Sequence, residues 1–126
     1  YKLQKKAAKV GFDWPEASGA WAKAREELAE AEIEAQAIQA GGGDEEAKKA
    51  RLESELGDLL FSVVNLPRKE GIDPGLALAQ ANDKFSRRFR HVEKRMAETG
   101  RKMEAGALEV MDAYWDEAKA SEKRDA

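Results

Sequence analysis

Four carboxylates draw notice by their spacing. Glu27 and Glu30 are three residues apart, and so are Glu55 and Asp58. In a helix that separation puts both side chains on one face, a turn apart. Two unit negative charges about 5 Å apart repel by roughly 3 kcal/mol at an effective dielectric near 20. Brought together, such groups are relieved by partial protonation or by a divalent cation. Carboxylate oxygens are hard ligands that suit Mg²⁺ or Mn²⁺, and Mg²⁺ is commonly shared with substrate phosphates. Zinc is not favoured, because there is no cysteine and the one histidine, His91, has no His or Cys partner. His91 reads instead as a solvated or capping residue. The plain alternative for the acidic pairs is a solvated helix surface neutralised by Lys23, Arg25, Lys48, Lys49 and Arg51.

A second group is basic. Lys84 and Arg88 are four apart and flank Phe85 and Phe89. Phosphate binding is the chemistry such a pair offers; ordinary snorkelling around the two aromatics is the alternative. Asn82 is a polar amide in an otherwise apolar stripe, with a carboxylate, a phosphate or a backbone carbonyl as its partner. Nucleic-acid binding by Arg87-Arg88-Phe89-Arg90 is disfavoured, since Asp83, Glu93 and Glu98 interrupt the patch.

These residues need helices to place them. Tyr1–Val10 reads as a short basic helix ended by Gly11, and Phe12-Asp13-Trp14-Pro15 as a connector that staples the end of a bundle, walls a ligand pocket or touches a second subunit. A first long helix runs from Glu16 or Ser18 to Gln39, with Trp21, Ala24, Leu28, Ala31, Ala35 and Ile38 as its apolar stripe. Gly41-Gly42-Gly43 breaks the chain and Asp44 caps the next helix, Glu45 to Leu66. Leu52, Leu56, Leu59, Val63 and Leu66 are the stripe there, and both acidic pairs border their stripes. A short turn makes the two helices an antiparallel hairpin in which the acidic faces meet. Gly57 costs that helix roughly 1 kcal/mol against alanine, which close approach of a backbone or ligand explains. Pro67 is expected to kink or end it. Asp73-Pro74 starts a third helix running to Thr99, with Leu78, Asn82, Phe85, Phe89, Val92 and Met96 in line. Gly100 to Gly106 is a loop, Leu108 to Ala120 a fourth helix, and Ser121 to Ala126 a frayed tail. The expectation is an all-α antiparallel bundle of about four main helices forming a single domain over residues 1–126.

Composition bounds the partners. Charged residues make up 37% of the 126 residues and aromatics 7%, which suits a thin helical core. A net charge of −3 gives no basic field for nucleic acid. No apolar run is long enough to span a bilayer. The lack of cysteine is compatible with a reducing cytoplasm, the expected compartment. A start at Tyr1 rather than Met points to a piece of a longer protein.

Taken in order, Lys9-Val-Gly-Phe-Asp-Trp14, Glu26-Glu27-Leu28-Ala29-Glu30, Glu55-Leu-Gly-Asp-Leu-Leu-Phe61, Val64-Asn65-Leu66, Ile72-Asp73-Pro74 and Ala81-Asn82-Asp-Lys84-Phe85-Ser-Arg-Arg88-Phe89 resemble the MazG nucleoside triphosphate pyrophosphohydrolases. The resemblance runs from about Leu3 to Lys119, and the Tyr1 start is similar to the beginning of the C-terminal catalytic domain of a two-domain MazG. It implies an all-α fold, a dimer or larger homo-oligomer, and Mg²⁺-dependent splitting of NTPs and dNTPs into nucleoside monophosphate and pyrophosphate, a nucleotide-pool housekeeping task. It implies metal binding by Glu27, Glu30, Glu55 and Asp58. Glu26 becomes a second-metal or water-orienting residue and the candidate base. Lys84 and Arg88, with Asn82, become phosphate-side contacts, and Trp115 a nucleotide contact or a packing residue. Three places depart from the pattern: Ser54, Pro67 and Lys69-Glu70.

Two other readings stay open. The hairpin also suits a non-catalytic dimerisation module with an acidic groove for a basic partner, indifferent to EDTA. A related all-α pyrophosphohydrolase with a narrower substrate, dUTP or a phosphoribosyl-ATP, keeps the metal and changes the nucleotide.

Overall fold

The computed structural model describes residues 1–125. Five helices follow in order: α1 Lys2–Lys9, α2 Ala17–Gln39, α3 Glu45–Lys69, α4 Pro74–Glu98 and α5 Leu108–Asp125, with a 3₁₀ turn at Ala105–Ala107 before the last. No strand occurs among the described residues, as the all-α expectation requires. The chain divides into two compact units, residues 1–74 and the part from Gly75 onward.

In the first unit α2 and α3 form the expected antiparallel hairpin. Asp44 caps α3 as its sequence position predicts, its Oδ1 accepting from the Glu46 and Ala47 amides at 3.0 and 3.3 Å. Across the turn, Lys48 Nζ donates to the Ala37 and Gly41 carbonyls at 2.9 and 3.1 Å, satisfying acceptors that the end of α2 leaves free. Arg51 pairs with Glu34 one turn further in.

The seam differs from the expected stripes. Ala20, Ala24, Glu27 and Ala31 are the buried residues of α2, whereas Trp21 and Leu28 are 45% and 48% exposed. On α3 the covered positions are Leu52, Glu55, Leu59, Ser62 and Leu66, with Leu56 and Val63 exposed. Alanines let the two backbones approach closely, so the bulky members of each apolar run face away. The consequence is chemical: Glu27 and Glu55 lie in the seam, not beside it.

α3 runs past Pro67 to Lys69, so the proline lies inside the helix, two residues before its end. The proline falls in the last turn, where it removes one helical bond. A Schellman cap replaces terminal bonds: Ile72 N–H reaches Pro67 O at 2.8 Å and Gly71 N–H reaches Arg68 O at 3.1 Å, with Gly71 at φ +71°. Apart from its own helix, no described residue puts an atom within 4 Å of the space a β-carbon on Gly57 would fill, so no other described element approaches it closely.

The connector to α2 is fastened at two points. Asp13 forms a forked ion pair with Arg68 and a further one with Lys69. Trp14 packs on Gly19, where an added β-carbon would come within 2.9 Å of the indole. Phe12 is exposed and takes no part in a staple.

In the second unit α4 and α5 are also antiparallel. Val92 and Met96 of α4 and Ala118 of α5 are its buried residues. His91 Nε2 lies 3.1 Å from Glu117, and Arg95 donates a hydrogen bond to Glu98 and forms an ion pair with Glu117 while its guanidinium covers Tyr114. Leu78, Asn82, Phe85 and Phe89, expected in one buried stripe, are exposed. The segment expected to fray is helical from Ser121 to Asp125; Ala126 lies outside the described residues. A contact expected of no frayed tail, Glu122 to Arg88, explains the extra turn.

Candidate metal centre

The hairpin brings three of the four acidic candidates together. Glu27, Glu55 and Asp58 each offer a carboxylate oxygen within 4.8 Å of the others. Glu27 comes from the middle of α2; Glu55 and Asp58 come from successive turns of α3. Burial falls across the trio: Glu27 is 6% exposed, Glu55 is half-buried and Asp58 opens to solvent.

Lys23, one turn before Glu27, answers part of the charge. Its Nζ lies 2.9 Å from Glu27 Oε1 and 3.4 Å from Glu26 Oε1. The other oxygens are left over. Glu27 Oε2 and Glu55 Oε2 are both buried and have no hydrogen-bond partner among the described residues. A buried carboxylate oxygen without a donor is costly, and a cation at that point removes the cost. The donor set is oxygen alone, which fits a hard divalent ion and not zinc.

Glu30 stands at the margin, outside the trio. Its carboxyl is held above the usual carboxylate range, first by the charge of Glu27, then by burial, the charges of Glu55 and Glu26, and a hydrogen bond to Glu55. Glu26 lies on the solvent side, its side chain 56% exposed, with Lys23 as its partner. A cavity of about 510 Å³ in the same unit shares Lys23 with the acidic trio; Gln4, Trp14, Phe61 and Arg68 are among its walls.

The basic candidates belong to the second unit. Arg88 is held by Glu122 and has the Trp115 ring 5.6 Å from its guanidinium carbon. Trp115 in turn meets Phe85 at 5.2 Å between ring centroids. Lys84 and Asn82 are exposed on α4. Of the charged partners, Lys23 was among the cations expected to neutralise the acidic pairs, whereas Glu122 was missed in the sequence. Lys23 carried a signal, since it lies four residues before Glu27 on the same face. Glu122 carried none, because it falls in a charged terminal run.

The first hairpin of this all-α chain closes on three carboxylates that could hold a hard cation, two of them with a buried oxygen that has no partner among the described residues. Comparison with known proteins gives the family. The model of the MazG nucleotide pyrophosphohydrolase domain matches residues 22–93, which carry both acidic pairs and the Lys84/Arg88 segment. The chain belongs to this family. It is similar to the nucleoside triphosphate pyrophosphohydrolase of Escherichia coli K12, with 43% identity over 122 residues, 96% of this chain and 43% of that protein. It is also similar to the nucleoside triphosphate pyrophosphohydrolase/pyrophosphatase MazG of Thermotoga maritima, with 39% identity over 123 residues, 97% of this chain and 43% of that protein. A third similarity, 45% over 73 residues, is to the uncharacterized protein YabN of Bacillus subtilis, of which it covers 15%. The chain thus spans less than half the length of the first two relatives. No helix among the described residues is long and apolar enough to cross a membrane.

Proposed function

We propose that this chain is a Mg²⁺-dependent nucleoside triphosphate pyrophosphohydrolase domain, with Mn²⁺ as a possible substitute ion. The reaction adds water across a P–O–P linkage: NTP or dNTP plus water gives the nucleoside monophosphate and pyrophosphate. The observation that carries the reading is the pair of buried, unpartnered oxygens of Glu27 and Glu55, with Asp58 within 4.8 Å, in a chain of this family. Names of the relatives over 96% and 97% of this chain support the substrate class.

Glu27, Glu55 and Asp58 would hold the metal, with Glu30 at the margin as a fourth ligand. A Mg²⁺ ion held there would supply electrostatic stabilisation of charge developing on the phosphate oxygens. Lys23 fixes Glu27 by its Oε1 and so leaves Oε2 for the cation. Glu26, on the solvent side, takes a proton from the attacking water. Lys84 and Arg88 hold phosphate oxygens by charge-assisted hydrogen bonds, Asn82 adds a neutral contact, and Trp115 offers a ring to the nucleotide. Residues 1–126 act as one catalytic domain, in a cytoplasmic homodimer or larger assembly whose task is nucleotide-pool housekeeping.

The test is pyrophosphate release from the canonical NTPs and dNTPs with Mg²⁺, then with EDTA. Equal amounts of monophosphate and pyrophosphate, abolished by EDTA, are expected. No release from any of them overturns the activity and leaves an interaction module or a narrower substrate.

A further inference from the structure

The second unit contains a contact that the proposed reaction does not use. Glu122, near the end of α5, accepts from Arg88 of α4: the Nη2–H reaches Oε2 at 2.8 Å, and the Nε–H lies 3.2 Å from Oε2 and 3.3 Å from Oε1. Both side chains are partly covered, at 18% and 36% exposure. The Trp115 ring lies 5.6 Å from the guanidinium carbon, a cation–π distance. Phe85 packs on that indole and Phe89 stacks on Phe85 at 5.9 Å. The guanidinium is therefore gripped along one edge by a carboxylate and approached by an indole.

A guanidinium has five N–H donors in a rigid plane, enough for two forked partners. Glu122 occupies the Nε edge. The end-on edge, one Nη1–H beside the second Nη2–H, stays open, and Nη1 makes no hydrogen bond to a described residue. That edge has the spacing that binds two oxygens of one phosphate. The ion pair also pins the charges: Arg88 holds the Glu122 carboxyl below its usual range, with Arg87 and Lys84 adding to the effect.

We propose that Glu122 is a positioning residue, holding Arg88 by its Nε edge so that the end-on edge is presented to a phosphate group of a polyphosphate substrate. This rests on the phosphate role proposed above for Arg88. Without Glu122, Arg88 regains its rotamers and must be ordered at each binding event. The opposite role, a carboxylate that competes with phosphate for Arg88, predicts the opposite sign.

Two measurements separate them. Steady-state pyrophosphate release from an NTP with Mg²⁺ is compared for the wild type, Glu122→Ala and Glu122→Gln. KM is expected to rise about fivefold to tenfold in Glu122→Ala, the scale of a lost orienting contact, with kcat changed by less than about twofold. Glu122→Gln, whose amide oxygen still accepts from the guanidinium, is expected to stay within about twofold of wild type. Calorimetric affinity for inorganic triphosphate, which needs no turnover, is measured in the same proteins and again with Arg88→Ala. Glu122→Ala is expected to weaken affinity in the Arg88 protein and to have no effect in the Arg88→Ala background. Tighter binding in both Glu122 variants, an unchanged KM, an equal loss without Arg88, or no triphosphate binding by the wild type overturns the proposal. Triphosphate binding with this pattern but no pyrophosphate release overturns the activity alone and leaves the role of Glu122 intact.

Discussion

Glu27 is 6% exposed, and among the described residues only Lys23 answers its charge, through one of its two oxygens. Two more carboxylates stand within 4.8 Å, so the cluster without a cation stores repulsion. Asp58 is the member to test, because it is exposed and its replacement disturbs no packing. Asp58→Asn is expected to raise the melting temperature in EDTA by about 1–3 °C, since it removes one of several clustered like charges. Mg²⁺ is expected to raise the wild-type melting temperature by mass action and to leave that of Asp58→Asn nearly unchanged. Pyrophosphate release should fall by at least about a hundredfold. A variant with wild-type turnover and a wild-type Mg²⁺ shift takes Asp58 out of the site. The acidic pairs were legible in the sequence because helical spacing is fixed. Their place in the seam was not, because hydropathy marks Glu27 as polar whether it borders a core or lies within one.

At the scale of elements, ends were read better than faces. Glycine, proline and the Asp44 cap act locally, so α2 and α3 begin where the sequence predicts. Faces depend on what covers them, and small alanines took the seam from Trp21 and Leu28. The join between the connector and the hairpin depends on Asp13 and Gly19. Arg68 holds the Asp13 carboxyl far below the usual carboxylate range, with the Trp14 amide and Lys69 adding to it. A carboxylate depressed in the folded state stabilises at pH values above its unfolded pKa, about 3.9. That contribution declines as pH falls below about 4 toward the folded value. Asp13→Asn should therefore melt below the wild type at pH 7, and the gap between the two melting curves should close as pH drops below 4. A gap that is constant with pH assigns the loss to something other than the ion pairs. Gly19→Ala tests the other fastening. The new β-carbon would lie 2.9 Å from the indole of Trp14, so the ring must move. Chemical denaturation should show a loss of about 1–3 kcal/mol, the usual cost of overpacking; a neutral or stabilising change would show that Trp14 does not need that position.

The whole molecule raises a question that helix periodicity alone does not answer: what the apolar residues outside the seam are for. Leu56, Leu60 and Val63 recur at 4-3 spacing along α3 and are 42%, 68% and 44% exposed. Gly57 lies among them with open space where its side chain would be. A glycine that costs an exposed helix stability, set in an apolar stripe, is what close approach by another helix requires. The sequence reading assigned Leu56 and Val63 to the chain's own core and left Leu60 out of the stripe, since a face buried by a second copy has the same periodicity as one buried at home. The proposed homodimer accounts for both features. Sedimentation of the wild type should then give at least twice the monomer mass at micromolar concentration. Leu60→Glu should shift the population to monomer, because burying an unpaired carboxylate in an apolar contact costs several kcal/mol. Its helical circular dichroism at matched concentration shows whether the helices survive the separation. If Leu60→Glu sediments as the wild type does, that face of α3 is not the contact, and the exposed Leu76, Leu78 and Phe85 of α4 become the next surface to alter.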